Sequence, residues 1–182
     1  MKDYQALWIK WEAILSSDIK EQKDLLDSLN IEVKKGFDVI VRIASEELIA
    51  QTDKKLESYK EDLEKNLAIL AFSGYLLYLV QSSTDPKESN LVAKTSTSEL
   101  GTTWMESFEK DKGIRYVEQI DPVFSLLLDS RKQSCIDSLM NEKKDLAQLP
   151  YQLIHMIELY FLWTAQQGYI FGIIEQELST QS

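Results

Sequence analysis

The chain has 182 residues, with 44% hydrophobic and 27% charged side chains and a formal net charge of −10. Its length accommodates one domain that buries roughly 70% of its unfolded surface, and its apolar content excludes intrinsic disorder. A single cysteine, Cys135, excludes an intramolecular disulfide and suits a reducing compartment. Because nucleic acids and anionic membranes attract clusters of Lys and Arg, so acidic a chain disfavours both as partners. We expect a single domain over 1–182.

Two segments are apolar enough to raise the question of a membrane span, namely 67–80 and 150–174. The first is shorter than the roughly 20 residues that a bilayer requires. The second carries His155 and Glu158, which are costly in lipid. The N-terminal sequence has charges within its apolar stretch and lacks the pattern of a secretory signal. We expect both segments to be buried in protein and the molecule to be cytoplasmic.

The first part of the chain has the apolar spacing of helices, at i, i+3, i+4 and i+7. We predict a helix over 3–16, followed by a helix that Asp18 caps. Gly36 comes directly after two lysines, which is typical of a helix C-terminus. The stretch after Asp18 is therefore predicted to form two helices, over 19–35 and 38–51.

A longer helix is predicted over 53–81, with Thr52 or Asp53 as its N-cap. Its first half has a narrow apolar stripe, and its second half is apolar on all sides. One end of this helix is therefore expected at the surface and the other end deep in the core. The segment 82–96 is rich in Ser, Thr, Asp and Asn and is predicted to be a flexible loop.

The region between this loop and the C-terminal helix is also predicted to be helical. Ser96 and Glu99 have the spacing of a capping box and open one helix. A short helical piece follows. The dipeptide Asp121-Pro122 then begins a helix over 122–141, with the aspartate as cap and the proline in the first turn.

The C-terminal stretch from Pro150 to Leu178 is predicted to organise the fold. It would form a helix about 43 Å long, and it is apolar on nearly every face between Leu153 and Trp163. Such a helix must be covered on most sides. No stretch shows the sustained alternation that predicts strands. The sequence thus predicts an all-α fold, a bundle of six to seven helices with a long buried C-terminal helix.

Motifs that carry catalysis or bind metals are not found in this sequence. Helical di-iron sites use a histidine on each of two helices, and this chain has one histidine. Gly-rich phosphate loops, zinc-ligand spacings and the G-x-S-x-G nucleophile motif are absent. Acid pairs three residues apart lie off the apolar stripes and are predicted to face solvent: Asp24/Asp27, Glu61/Glu64 and Glu106/Glu109. We predict no catalytic residue, no metal site and no cofactor.

One polar row on the C-terminal helix is the candidate pocket. His155 and Glu158 are three residues apart and share a face. The row continues to Tyr151 on one side and to Gln166 on the other. It is either a strip that reaches solvent, or a hydrogen-bonded network in the core, or the lining of a pocket. In a pocket, Glu158 would orient His155 as a general base or as a ligand contact.

Aromatic residues near the N-terminus are the candidate interface. Tyr4, Trp8 and Trp11 share one face of the first predicted helix. They either pack into the core or form an exposed aromatic patch, and aromatic residues of this kind dominate protein–protein hot spots.

These observations together predict a non-enzymatic helical module for protein–protein interaction, of the adaptor, chaperone, immunity-protein or antitoxin type. The acidic surface favours a basic protein partner. The alternative is a small-molecule-binding protein or enzyme with a pocket in the bundle core around His155 and Glu158. A third hypothesis is a homodimer that uses the first helix as its interface.

Overall fold

The structure, a computed structural model, describes residues 3–82, 99–111 and 113–180. This part of the chain is all-α and contains no strand, which confirms the predicted fold class. A 3₁₀ turn, Glu57–Tyr59, precedes the fourth helix. The nine α-helices are α1 (Tyr4–Leu15), α2 (Ile19–Ser28), α3 (Ile31–Gln51), α4 (Lys60–Ser82), α5 (Glu99–Asp111), α6 (Ile114–Val117), α7 (Pro122–Glu142), α8 (Lys144–Ala147) and α9 (Tyr151–Thr180).

The helix count among these residues exceeds the predicted six to seven because α6 and α8 are separate helices of four residues each. The loop predicted at 82–96 lies outside the described residues, apart from Ser82 at the end of α4. The capping residue predicted at Ser96 also lies outside them.

The boundary predicted at Gly36 is wrong. The break between α2 and α3 lies at Leu29 and Asn30, and the Asn30 side chain caps α3 by accepting a hydrogen bond from the Glu32 amide at 2.8 Å. Gly36 lies inside α3, where a Cβ atom would come within 2.5 Å of the Phe171 ring. This glycine therefore allows another helix to approach closely, and it does not end its own helix.

The N-cap predicted at Thr52 or Asp53 is also wrong. Thr52 ends α3, and its hydroxyl donates a hydrogen bond to the Leu48 carbonyl at 2.8 Å. Asp53 and Lys54 both have positive φ angles, 51° and 61°. Two successive left-handed residues turn the chain. Leu56, which is fully buried, anchors this turn before α4 begins.

Helices α4 and α9 form the most intimate helix pair in the described structure. Glycines make this possible: a Cβ atom on Gly74 would overlap the Ala165 carbonyl oxygen, and one on Gly168 would overlap the Ala71 carbonyl oxygen. A Cβ atom on Gly172 would overlap the Tyr78 ring. From the Ala71–Gly168 contact to the Tyr78–Gly172 contact both helices advance toward their C-terminal ends, so α4 and α9 run parallel.

Helices α1, α3, α5, α6 and α7 each contact α4 or α9, and the buried apolar residues form one cluster. Phe37 of α3 and Trp104 of α5 both lie against Phe171, with ring centroids 6.3 and 5.6 Å apart. Phe124 of α7 lies 6.2 Å from Tyr169. The central segment of α9 is therefore covered by helices from several parts of the chain.

Within the described residues, one helical segment, Glu57–Ser82, is long and apolar enough to cross a membrane by length and composition. Its apolar window has a mean hydropathy of 1.3, and 67% of that window is buried inside the protein.

Candidate functional site

The residues predicted to form the N-terminal interface are divided between core and surface. Trp11 is 1% exposed, and its indole N–H donates to the Ser73 carbonyl at 2.9 Å. The Tyr4 hydroxyl donates to Asp121 Oδ2 at 2.7 Å, and its ring packs edge-on against Phe124 at 5.7 Å. Trp8 remains 44% exposed. The three residues therefore do not form one exposed aromatic patch.

The predicted pocket residues lie together at the surface. Tyr151 is 70% exposed and stacks on the His155 ring, with centroids 5.9 Å apart. His155 Nδ1 lies 3.7 Å from Glu158 Oε2, and the His155 side chain is itself 49% exposed. Gln166, two turns further along, is half-buried. Of the three arrangements considered for this row, the geometry corresponds to the strip that reaches solvent.

A second row of side chains, spaced four residues apart, shows how the N-terminal end of α9 differs in exposure from its centre. Residues four apart on a helix form a ridge, and each step of four moves about 40° around the helix axis. We define the α9 ridge by its six members at this spacing: Tyr151, His155, Leu159, Trp163, Gln167 and Phe171. The first three are exposed and the last two are buried. The ridge therefore winds from solvent into the core.

Helix α5 covers the second half of the ridge, which we call the covered half (Trp163, Gln167 and Phe171). Phe108 packs edge-on against Trp163 at 5.9 Å. One turn earlier on α5, the indole N–H of Trp104 donates to Gln167 Oε1 at 2.9 Å, and the Trp104 ring stacks on Phe171 at 5.6 Å. Two aromatic residues four apart on α5 thus pack on three successive ridge positions.

The first half of the ridge, which we call the free half (Tyr151, His155 and Leu159), extends beyond α5. Helix α5 ends at Asp111, and Gly113, with φ of 77°, turns the chain back. Gly113 then lies beside Gln167, further along α9. An aromatic ring and an aliphatic side chain therefore remain at the surface, with Leu159 49% exposed.

Two acidic side chains border the free half. No Lys or Arg follows Lys144 in the sequence, so α9 carries none. Glu158 borders the free half on α9, and Glu47 of α3 lies alongside, where it accepts a hydrogen bond from the Tyr160 hydroxyl at 3.3 Å. Burial and the nearby Glu47 carboxylate raise the pKa of Tyr160. A cation approaching the free half would be attracted by this surface.

A buried carboxyl group near the C-terminal end of α9 was not predicted from the sequence. The Tyr75 hydroxyl donates to Glu175 Oε1 at 2.7 Å, whereas Glu175 Oε2 has no hydrogen-bond partner among the described residues. Burial raises the pKa of Glu175. Burial and Glu175 raise the pKa of Tyr78 to about 12. An acid in a run of apolar residues is the only sequence signal that could have indicated this arrangement.

A polar cavity of about 200 Å³ lies between α5 and α6. In its lining, the Asp111 carboxylate accepts hydrogen bonds from the amide N–H groups of Gly113 and Arg115, at 3.0 and 3.4 Å. The Arg115 guanidinium donates to the Tyr116 hydroxyl at 3.2 Å. The lining therefore contains both acidic and basic side chains, and it does not select between a cationic and an anionic ligand. It is lined by Thr103, Glu106, Ser107, Lys110, Asp111, Arg115 and Tyr116.

Two further observations concern metal binding and nucleophilic catalysis. In residues 3–82, 99–111 and 113–180, no group of three or more His, Cys, Asp or Glu side chains is placed to hold a metal ion. Cys135 is buried, and burial raises the pKa of its thiol. A thiol that stays protonated is a poor nucleophile.

No protein family matches this chain, and no curated protein or solved structure is significantly similar to it. The function must therefore be inferred from the arrangement of its own side chains.

Proposed function

We propose that this protein is a non-enzymatic helical module that binds another protein, of the adaptor, chaperone, immunity-protein or antitoxin type. The observation that carries this proposal is the free half of the α9 ridge. Tyr151 is 70% and Leu159 49% exposed there, on a helix that carries no Lys or Arg. Tyrosine is enriched among the few residues that supply most of the binding energy in protein interfaces, and covering an exposed leucine removes apolar surface from water.

The preferred partner is a basic protein. The net charge of −10 attracts cationic surfaces over long range and accelerates their association. The same charge repels nucleic-acid phosphates and anionic lipid headgroups. We propose that the protein acts in the cytoplasm and that its partner is neither a nucleic acid nor a membrane.

We further propose that the helices form one bundle domain over 1–182. Support comes from the single apolar cluster, to which residues from α1 through α9 contribute. A single domain of this kind unfolds in one cooperative transition. Coincident urea transitions followed by circular dichroism and by tryptophan fluorescence are expected, and two separate transitions would refute this arrangement.

Affinity purification from cells of the native host tests the proposed function. The wild-type chain is expected to retain one stoichiometric partner at low ionic strength and to release it as salt is raised, because salt screens exposed charges. The double variant Tyr151→Ser/Leu159→Ser should retain much less, while Leu126→Ser serves as the control since Leu126 on α7 is also 70% exposed. Recovery of no partner at low salt would refute the proposed function.

Self-association through α1 is a second candidate, favoured by the exposed side chains of Trp8 and Ile9, the latter 54% exposed. Light scattering at increasing concentration tests it. A monomer at high concentration would eliminate the homodimer, and Trp8→Ser should convert a dimer to a monomer if α1 forms the interface.

A further inference from the structure

The α9 ridge shows what kind of element covers it. Along the covered half, the partner is a helix that presents aromatic residues four apart, Trp104 and Phe108. Helices pack by inserting such i, i+4 rows into one another's grooves. The free half continues the same ridge with the same spacing, so its surface has the shape that another helix fits.

The length of the free half sets the size of the occupant. From Tyr151 to Leu159 the three ridge positions cover eight residue steps, about 12 Å along the helix axis. A helix of roughly three turns covers this length with two apolar anchors, one turn apart, as α5 does over the covered half. Because α5 ends at Asp111 and the chain turns away at Gly113, α5 itself leaves this length of the ridge open.

Charge determines which helix fits. An acidic helix would bring its carboxylates beside Glu158 and Glu47, and like charges at a contact oppose association. Lysine or arginine residues flanking the apolar anchors would instead meet these two acids. The absence of any Lys or Arg after Lys144 means that α9 offers no positive charge to repel them.

We propose that the free half of the α9 ridge, Tyr151, His155 and Leu159, is a docking site for a basic amphipathic helix of a partner protein. The helix lies against α9 beyond the C-terminal end of α5 and places apolar side chains over Tyr151 and Leu159. This inference rests on the proposed function and adds the site and the structural class of the bound element.

Photo-crosslinking to designed peptides tests the site. The crosslinking residue p-benzoylphenylalanine replaces Tyr151 in one version of the full chain and Leu126 in another, because both side chains are 70% exposed. Each version is irradiated with three fluorescent helical peptides of equal length. The first has leucines four apart and lysines elsewhere, the second keeps the lysines but replaces the leucines by alanine, and the third replaces the lysines by glutamate.

The Leu/Lys peptide is expected to crosslink at position 151 and much less at position 126. The Ala/Lys peptide lacks the anchors and the Leu/Glu peptide lacks the charge, so both should crosslink weakly. In fluorescence anisotropy, Leu159→Ser should weaken Leu/Lys peptide binding about tenfold, which corresponds to loss of one anchor residue. Leu126→Ser should change this affinity less than about twofold.

Three results would overturn the docking site. These are equal crosslinking at positions 151 and 126, equal crosslinking by the Leu/Lys and Ala/Lys peptides, and crosslinking of position 151 to a second copy of this chain without peptide. In each case the proposed function still stands if the native partner is retained by the wild-type chain and also by Tyr151→Ser/Leu159→Ser. If no native partner is retained while the Leu/Lys peptide crosslinks at 151, the docking site stands and the proposed biological role fails.

Discussion

The free and covered halves of the α9 ridge have the same spacing on the same helix but opposite environments. Leu159 is 49% exposed, whereas Phe171, three ridge steps later, is fully buried. Helix α5 packs against Trp163, Gln167 and Phe171 and then ends, and Phe37 of α3 also packs against Phe171. Each half contains one polar side chain, His155 or Gln167, between two apolar or aromatic ones. Burial along this helix therefore depends on which neighbours reach it. An apolar ridge that its own fold covers only in part has the properties of an interface.

The largest expected effect on stability comes from truncating a buried side chain of α9 rather than an exposed one. Phe161→Ala should lower the free energy of unfolding by about 3–5 kcal/mol, because Phe161 is fully buried and truncation leaves a cavity. Leu159→Ala, two residues away on the exposed side, should cost less than about 1 kcal/mol. Urea denaturation of both variants measures this, and similar losses would show that the free half is as buried as the core.

The next largest loss of stability is expected from adding a Cβ atom where α4 and α9 approach most closely. Gly168→Ala introduces a Cβ atom that overlaps the Ala71 carbonyl oxygen, so α4 and α9 must separate at a cost of about 1–3 kcal/mol. Gly101→Ala is the matched control, since nothing lies within 4 Å of a Cβ atom there. In helix α5 this control should be neutral or more stable by up to about 1 kcal/mol. Thermal unfolding of both proteins checks the contrast.

The buried acid should make stability depend on pH. Because the folded-state pKa of Glu175 is raised by burial above its ordinary value of 4.5, folding favours the protonated form. This contribution is fully present below that ordinary value and is lost as the pH rises through the folded-state pKa. Glu175→Gln retains an acceptor for the Tyr75 hydroxyl and carries no charge.

The measurement is the difference in unfolding free energy between wild type and Glu175→Gln at several pH values. Relative to the variant, the wild-type protein should be less stable at about pH 7 than at about pH 4. Using the difference cancels the other carboxyl groups, which titrate in both proteins. A difference that does not change with pH, or one that changes in the opposite direction, would contradict the raised pKa.

The smallest effect on stability is expected at the docking site itself. Tyr151→Ser should change the free energy of unfolding by no more than about 0.5 kcal/mol, because the side chain is 70% exposed and its ring contact is with exposed His155. The far-ultraviolet circular dichroism spectrum should also be unchanged. A loss comparable to that of Gly168→Ala would mean that Tyr151 supports the fold, and the binding experiments with this variant would need another interpretation.

Local features could be read from the sequence because their causes are local. Asp18 caps α2 by accepting the Glu21 amide at 2.8 Å, as predicted. Asp121 caps α7 by accepting the Val123 amide at 2.9 Å, with Pro122 in the first turn. A cap depends on groups two or three residues away. Helical periodicity likewise depends on neighbours within about two turns.

Features that depend on distant residues could not be read in the same way. Gly36 has the sequence context of a helix end, but the ring of Phe171, far away in the chain, makes it a packing position within α3. Trp8 and Trp11 are equivalent aromatic residues on one helix, yet only Trp11 reaches the Ser73 carbonyl. His155 lies in an apolar helix, yet it reaches solvent beyond the end of α5.

The sequence by itself determined that this is an all-α protein, where several of its helices begin, and that its C-terminal helix is long and apolar, because backbone hydrogen bonds and caps form between near neighbours. The tertiary structure alone decided which glycines allow helices to approach closely, which tryptophan is buried and which half of the α9 ridge stays open. These outcomes depend on contacts among α1, α3, α4, α5 and α9, and such contacts are made by residues far apart in the chain.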